Sequence, residues 1–461
     1  MIPITVCSKF DAINDHATQA IETEGSSRPR GRGHCPALPA WNARQLIQIV
    51  ILVPRTMKTL ATILARTIAL VVFAFLPGTL AQTANTNDLP AVLTPYLQNP
   101  APDGMTVCFL AQGAERVRVA WAVDAAPALT EEPVAGTAIP GTPWTIWKTR
   151  LAKLERGTVY RYQVRYRLPS GNAESPVGRF RTLDPQAKTL RFAVFNDLHN
   201  SDKTLEALLR FVKPEDYEFS LLMGDCFGDP SSANGAHEVF RTWNAYLRLL
   251  DGGNKPILFV RGNHETRGDF SSRMAHLFDL PNLDAALKPG EQQWQFTLRA
   301  GPASILAMDT GEDDDFTTPE DSYKRPKFWQ AYRQREAQWL KELIPTKPGG
   351  DAAWRVFVSH IPLYNPAGWI CPSCRQYWVP FLLDARIDLM LAGHDHAWRH
   401  LPKGANDSPW PVLIGGGPSL DEGTVILFSA EDTTLRARML AAKDGRLLTE
   451  FTAEGGRTRT P

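Results

Sequence analysis

Between residues 92 and 182 hydrophobic and polar positions alternate in short bursts, TVCFLA, VRVAWAV, WTIWKTRL and VYRYQVRYRL, set apart by Pro, Gly and Asp clusters. Short period-two runs bounded by turn residues predict an all-β sandwich. The pattern then changes. Leu190–Phe195 is unbroken apolar, which predicts a buried strand, and it stops abruptly at Asn196-Asp197-Leu198-His199. Similar runs follow at Phe219–Met223, Ile257–Val260, Ser304–Asp309, Trp354–Val358 and Asp388–Ala392, with helical periodicity between several of them. Ser201 is placed to cap a helix with Leu205, Leu208, Leu209 and Val212 on one face. A second helix is predicted over Ala236–Leu250, ending at Gly252-Gly253. A third covers Phe328–Leu343, with Tyr332, Trp339, Leu340 and Leu343 inward. After these, VLIGGG, GTVILFS, LRARMLA and LLTEF read as strands, with Asp444-Gly445 as a hairpin turn. The fold class is therefore α/β: two stacked mixed β-sheets flanked by helices, preceded by a small all-β sandwich domain.

The amino-terminal 91 residues follow neither pattern. Residues 1–56 have no coherent period and contain an Arg/Pro/Gly patch, SSRPRGRGHCP. From Met57, a basic region with Lys58 and Arg66 leads to an apolar core at Thr67–Leu76, then to Pro77, Gly78 and small residues through Ala81. Those are the three parts of a secretory signal peptide, too short to span a membrane comfortably. The division expected is a mis-called extension at 1–56, a signal peptide at 57–81, a linker at 82–91, the sandwich at 92–185 and the α/β domain at 186–461. A native cytosolic tail before a signal anchor is the other reading of the same stretch. Mature protein would begin near Gln82 and be secreted or periplasmic. Lys and Arg total 50 against 49 Asp and Glu, so no basic excess points to a nucleic-acid partner.

Candidate chemistry gathers where the strands stop. Asp197 and His199 follow the first run, Gly224-Asp225 the second, Gly262-Asn263-His264-Glu265 the third, Ser359-His360 another, and Gly393-His394-Asp395-His396 the last. Functional groups in open parallel sheets collect at the carboxyl ends of strands. Asp197, Asp225 and Asn263 with His199, His360, His394 and His396 are too many ligands for one ion. They suit two divalent or trivalent ions sharing a carboxylate, with Fe, Mn or Zn favoured over metals that need thiolates. Glycines 224, 262 and 393 allow sharp turns and close approach. His237 and His276 read as ordinary loop or core histidines.

In order, D-L-H, G-D, G-N-H-E, S-H and G-H-D-H resemble the calcineurin-like metallophosphoesterase superfamily over Leu190–Trp398. The resemblance implies that Asp197, His199 and His396 hold one metal and Asn263, His360 and His394 the other, with Asp225 bridging. It makes His264 the histidine facing the leaving group; Asp229, just past the Gly224-Asp225 turn, is a residue to orient it on sequence proximity alone. TPYLQNP, L-x-x-G-T-x-Y-x-Y and F-R-T in the sandwich resemble the fibronectin type III-like domain that precedes the catalytic domain in purple acid phosphatases. One departure matters. Those enzymes carry a metal-binding Tyr three residues past the bridging Asp, and here that position is Gly228, with His199 supplying a ligand instead. Ferric-tyrosinate chemistry and its acid optimum are therefore not implied.

The function expected is an exported, metal-dependent phosphomonoesterase, its nucleophile a hydroxide bridging two ions roughly 3.5–4 Å apart and its substrate a small-molecule phosphate ester. The alternatives are a phosphodiesterase acting on nucleotides or phospholipid headgroups, and a catalytically silent exported binding protein. Once exported, Cys371-Pro-Ser-Cys374 reads as a small structural disulfide in preference to a redox pair or half a zinc site. Cys226 reads as packing. Glu312–Asp321 lacks the spacing of a calcium loop and reads as a solvated insertion. Tyr364, Trp369, Tyr377 and Trp378 could form an aromatic wall for the substrate or pack under a long loop.

Overall fold

The unbroken apolar runs become strands buried on both faces. A computed structural model describes residues 89–127, 129–230, 235–281, 293–313, 326–347 and 349–457. The extension, the signal pattern, most of the linker and residues 314–321 lie outside the described residues. In one six-stranded sheet Ile257–Val260, Phe219–Met223 and Thr189–Phe195 run parallel. Thr189–Phe195 then pairs antiparallel with Thr424–Glu431, which continues into Thr434–Ala441 and Leu447–Glu454. In the other, Ala303–Met308, Trp354–Ser359, Leu389–Ala392 and Val412–Ile414 are parallel, and Phe296–Ala300 and Arg399–Leu401 close the edges antiparallel. Leu389 and Leu391 belong to the core shared with the first sheet, whereas Met390 and Ala392 pack with the helices Pro326–Leu343 and Pro372–Ala385. Polar residues have no face to occupy in such strands, which accounts for the unbroken runs.

The predicted first helix is Asp202–Leu209, with the Thr204 N–H donating to the Ser201 side chain at 3.2 Å. The second is Gly235–Leu249 and the third Pro326–Leu343. The third also buries two charged residues that hydrophobic periodicity does not reveal, Arg333 and Glu336. Arg333 Nε donates to Thr310 O at 2.9 Å and its Nη1 to Ser373 Oγ at 3.1 Å. Helix Pro372–Ala385 is not predicted; it contains prolines at 372 and 380, which obscure a helical pattern. Pro372 occupies the first turn, where no N–H is needed, and Cys371–Cys374 close that turn as a disulfide. Among the described residues no helix is long and apolar enough to cross a membrane.

The amino-terminal strands form a sandwich of a four-stranded and a five-stranded sheet around Phe109, Trp147, Tyr160 and Phe180. This sandwich is part of one compact unit with the two-sheet body. Tyr96 Oη donates to Leu277 O at 2.7 Å, Thr106 Oγ1 to Asp279 Oδ2 at 2.5 Å, and Asp279 N–H to Gln98 Oε1 at 2.6 Å. Trp144 meets Phe240, and Tyr96 meets Trp243 edge-on at 5.3 Å. The segment after the Asn263 loop is thereby anchored from the sandwich side.

Candidate metal centre and active site

Parallel strands deliver their carboxyl ends in one direction, and the loops leaving both sheets meet there. The His394 N–H donates to Asp197 Oδ2 at 2.8 Å, joining the loop after Leu389–Ala392 to the loop after Thr189–Phe195. The turns are tight. Asp197, His199, Asp225, His394 and His396 all have positive φ, between 42° and 74°. Left-handed backbone costs L-residues roughly 1–2 kcal/mol each, and such strain concentrates at functional sites. Gly224 is required twice over: its φ is 78°, and a Cβ there would stand 2.4 Å from the His360 ring. At Gly262 a Cβ would meet Asp225 Oδ1 at 2.2 Å.

The seven expected ligands fall into two groups that share Asp225. Ligand atoms of Asp197, His199, Asp225 and His396 lie within 4.8 Å of one another, and so do those of Asp225, His360 and His394. Asn263 joins the second group, with Oδ1 3.1 Å from His360 Nε2 and 3.0 Å from His394 Nδ1. Three of the ligands are aimed by a partner behind them. Asn196 Nδ2 and the His394 N–H both bind Asp197 Oδ2, leaving Oδ1 toward the cluster. The His264 N–H holds Asp225 Oδ1 at 2.9 Å, and Oδ2 faces His360 Nε2 at 3.1 Å and His199 Nε2 at 3.7 Å. Met223 O lies 3.1 Å from His360 Nδ1 and directs the Nε2 lone pair inward.

These residues fit cations. Asp197 Oδ1 is buried with no hydrogen-bond partner. His199 Nε2 and His396 Nε2 face each other at 3.0 Å. With Oδ1 inward, the Asn263 amide places its oxygen among three lone-pair atoms, Asp225 Oδ2, His360 Nε2 and His394 Nδ1. Hydrogen bonding alone satisfies the reverse orientation, with Arg267 Nη2 donating to the oxygen at 2.8 Å. A cation among the four atoms satisfies the first. The field agrees. Burial opposes charge on His360, yet Asp225 and Asp197 raise its pKa to about 10, while burial lowers His199 to about 4. Burial opposes ionisation of Asp225 too, but His360 holds its carboxyl well below the usual range. The carboxylates thus draw positive charge to the centre of the cluster.

His264 stands beside the first group, its ring 4.5 Å from that of His199. Its Nδ1 is 2.6 Å from Asp229 Oδ1, a pairing proposed from sequence proximity alone and present in the structure. Gly228 has no side chain, and a Cβ there would meet Asn200 Nδ2 at 2.8 Å. Cys226 is buried, its thiol pushed well above its ordinary pKa by burial, which fits packing. Of the four aromatics after His360, Tyr364 and Trp378 are core residues, and the Tyr377 hydroxyl accepts from Gln330 and Gln334. Trp369 alone is an exposed ring beside a candidate ligand.

Two features of the site were not legible. Glu265, 1 % exposed, accepts the N–H groups of Asp225, Gly262 and Phe227 at 2.9, 2.7 and 2.9 Å. Burial, with Asp225 beside it, pushes its carboxyl up to about 8. Its place in G-N-H-E was the available signal, but nothing local shows that it ties two ligand loops together. Orphaning three buried donors costs about 1–3 kcal/mol apiece, so Glu265→Ala should destabilise the chain by about 3 kcal/mol or more. A urea midpoint unchanged from wild type, at the same m-value, would show that the loops hold without it.

The other concerns the acidic stretch, where the expected solvated insertion fails at its start. Glu312 is buried and grips Arg267 through two bonds, Nε to Oε2 at 2.8 Å and Nη2 to Oε1 at 2.6 Å. Asp313 adds a third contact at 3.3 Å. Bidentate pairing of this kind orients both planar groups. It fixes the Arg267 guanidinium with Nη1 3.2 Å from His264 Nε2.

Comparison with known proteins agrees with this geometry. The family model of the calcineurin-like phosphoesterases matches residues 190–398. Purple acid phosphatase 22 of Arabidopsis thaliana is 24 % identical over 306 residues, 63 % of this chain and 62 % of that protein. The chain thus spans about three fifths of the length of that relative. Two solved structures share the fold. A purple acid phosphatase from yellow lupin (Lupinus luteus) seeds superposes with a TM-score of 0.61 at 17 % identity, covering 79 % of this chain and 74 % of its own. A structure of PhoD gives 0.58 at 15 %, covering 81 % and 92 %. All of the candidate ligands thus lie within the stretch, residues 190–398, that matches the calcineurin-like phosphoesterase family model.

Proposed function

We propose that the protein hydrolyses phosphate esters, phosphomonoesters foremost, at a site for two metal ions. The observation that carries the reading is the shared carboxylate, since Asp225 is common to both ligand groups. Asp197, His199 and His396 would hold one ion and Asn263, His360 and His394 the other, both with Asp225. When bound, such ions neutralise phosphoryl oxygens and make water a stronger acid. The remaining chemistry falls to the chain itself. Asp229, bonded to His264 Nδ1, fixes the ring, and Nε2, once released from its hydrogen bond with Arg267 Nη1, would hold a proton for the departing oxygen. Asn196, Glu265 and Met223 O keep the ligands aimed without conformational search.

Export is part of the reading. The signal pattern of residues 57–81 is joined by the Cys371–Cys374 disulfide, a bond that persists in oxidising compartments. The test is turnover of a phosphomonoester and a phosphate bis-ester by protein supplied with Mn, Zn or Fe. Hydrolysis of the monoester ahead of the bis-ester is expected. Activity on neither, with every metal, would leave the silent binding protein as the better description, and preference for the bis-ester would favour the diesterase.

A further inference from the structure

Trp369 is 58 % exposed, a large fraction for an indole. Its ring nevertheless sits 6.0 Å from that of His394, at 73°. The backbone carrying it is built with care. Asn365, itself 2 % exposed, donates from Nδ2 to Trp369 O at 3.3 Å and accepts the Ala367 N–H at 3.1 Å. Gly368 turns through φ 89° with its N–H on Asn365 O, the Cys371 N–H binds Pro362 O, and the disulfide to Cys374 closes the exit. A tied loop thus holds an apolar ring in the open. Burial does not compensate for that exposure, whereas a ligand stacked on the indole would.

The rim beside the indole leads to the proposed proton donor. His394 Nε2 lies 3.6 Å from Asp313 Oδ1, Asp313 Oδ2 lies 3.3 Å from Arg267 Nη2, and Arg267 Nη1 lies 3.2 Å from His264 Nε2. Trp369 and His264 therefore belong to one wall, the side on which an ester's organic group would leave. Asp313 lies on it beside His394, which disfavours a second anionic group there.

We propose that Trp369 is a stacking platform for the flat, uncharged organic group of the substrate, so that aryl or other planar-ring phosphates bind better than small alkyl phosphates. This rests on the phosphoesterase reading above. A stacked ring gains attraction beyond its buried area, whereas an ethyl or glycerol chain has no face to offer. The decisive measurement is calorimetric binding of two non-hydrolysable probes, benzylphosphonate and ethylphosphonate, to metal-loaded wild type, Trp369→Ala and Trp369→Phe. Trp369→Ala should weaken benzylphosphonate about tenfold, the size of one aromatic stacking contact, and leave ethylphosphonate unaffected. Trp369→Phe should restore most of the loss. Equal affinity of wild type for the two probes, or equal weakening of both by Trp369→Ala, would overturn the platform; the second outcome would make the indole a support for His394. Phenyl phosphate and glycerol 2-phosphate hydrolysis run alongside. If neither ester turns over, the phosphoesterase reading fails, while the phosphonate pair still decides the role of Trp369.

Discussion

Asp225→Ala should abolish phosphoester turnover and strip both ions from the chain. The two oxygens of Asp225 have separate duties. Oδ1 is pinned by the His264 N–H, and Oδ2 stands between His360 Nε2 at 3.1 Å and His199 Nε2 at 3.7 Å, one histidine from each group. Without that oxygen, two close cations would face each other with Asp197 as the only carboxylate among the six remaining ligands. Losing a residue that merely orients a ligand typically costs 10–100-fold in metal affinity or activity, and loss of the shared ligand should exceed that. Backbone strain complicates the alanine variant, because Asp225 has φ 47°. Asp225→Asn separates the effects: asparagine tolerates left-handed backbone about as well as aspartate, so a large loss in this variant reports the missing charge. If Asp225→Asn kept wild-type turnover, the shared-carboxylate account would be wrong.

His264→Ala should discriminate between leaving groups. A nitrophenolate departs readily without a proton, and the alkoxide of glycerol phosphate does not. If His264 Nε2 supplies that proton, the alkyl ester should lose much of the roughly 10²–10⁴-fold that general acid catalysis typically contributes. The aryl ester should lose far less, with metal content unchanged. Asp229→Asn should reproduce the pattern in weaker form, since Asp229 acts on Nδ1 at 2.6 Å and on the leaving oxygen only through the ring. Equal losses for both esters at full metal occupancy would remove His264 from the acid role.

Much of this site is readable from the chain because its ligands sit within a few residues of strand ends. A buried strand announces itself as an apolar run, and Asp197, Asp225, Asn263, His360 and His394 each stand at or just beyond one. Pairings across long sequence distance leave no such trace. The Arg267–Glu312 grip joins residues 45 positions apart, and Glu312 opens a stretch whose composition suggests solvent. Arg333 and Glu336 are buried on a helix whose apolar periodicity looks sufficient without them. Helix Pro372–Ala385 was hidden by its prolines, one in a first turn that tolerates it and one inside. The four aromatics after His360 could not be sorted by type, since indole and phenol serve a core and a rim equally well. Only the fold distinguishes buried Trp378 from exposed Trp369.

The most direct test of the account is elemental analysis of fully active wild-type protein beside Asp225→Ala. Two ions per active wild-type chain, and loss of both from the variant, are the predicted results. One ion per fully active wild-type chain, or a variant that keeps one ion tightly bound, would contradict the shared site.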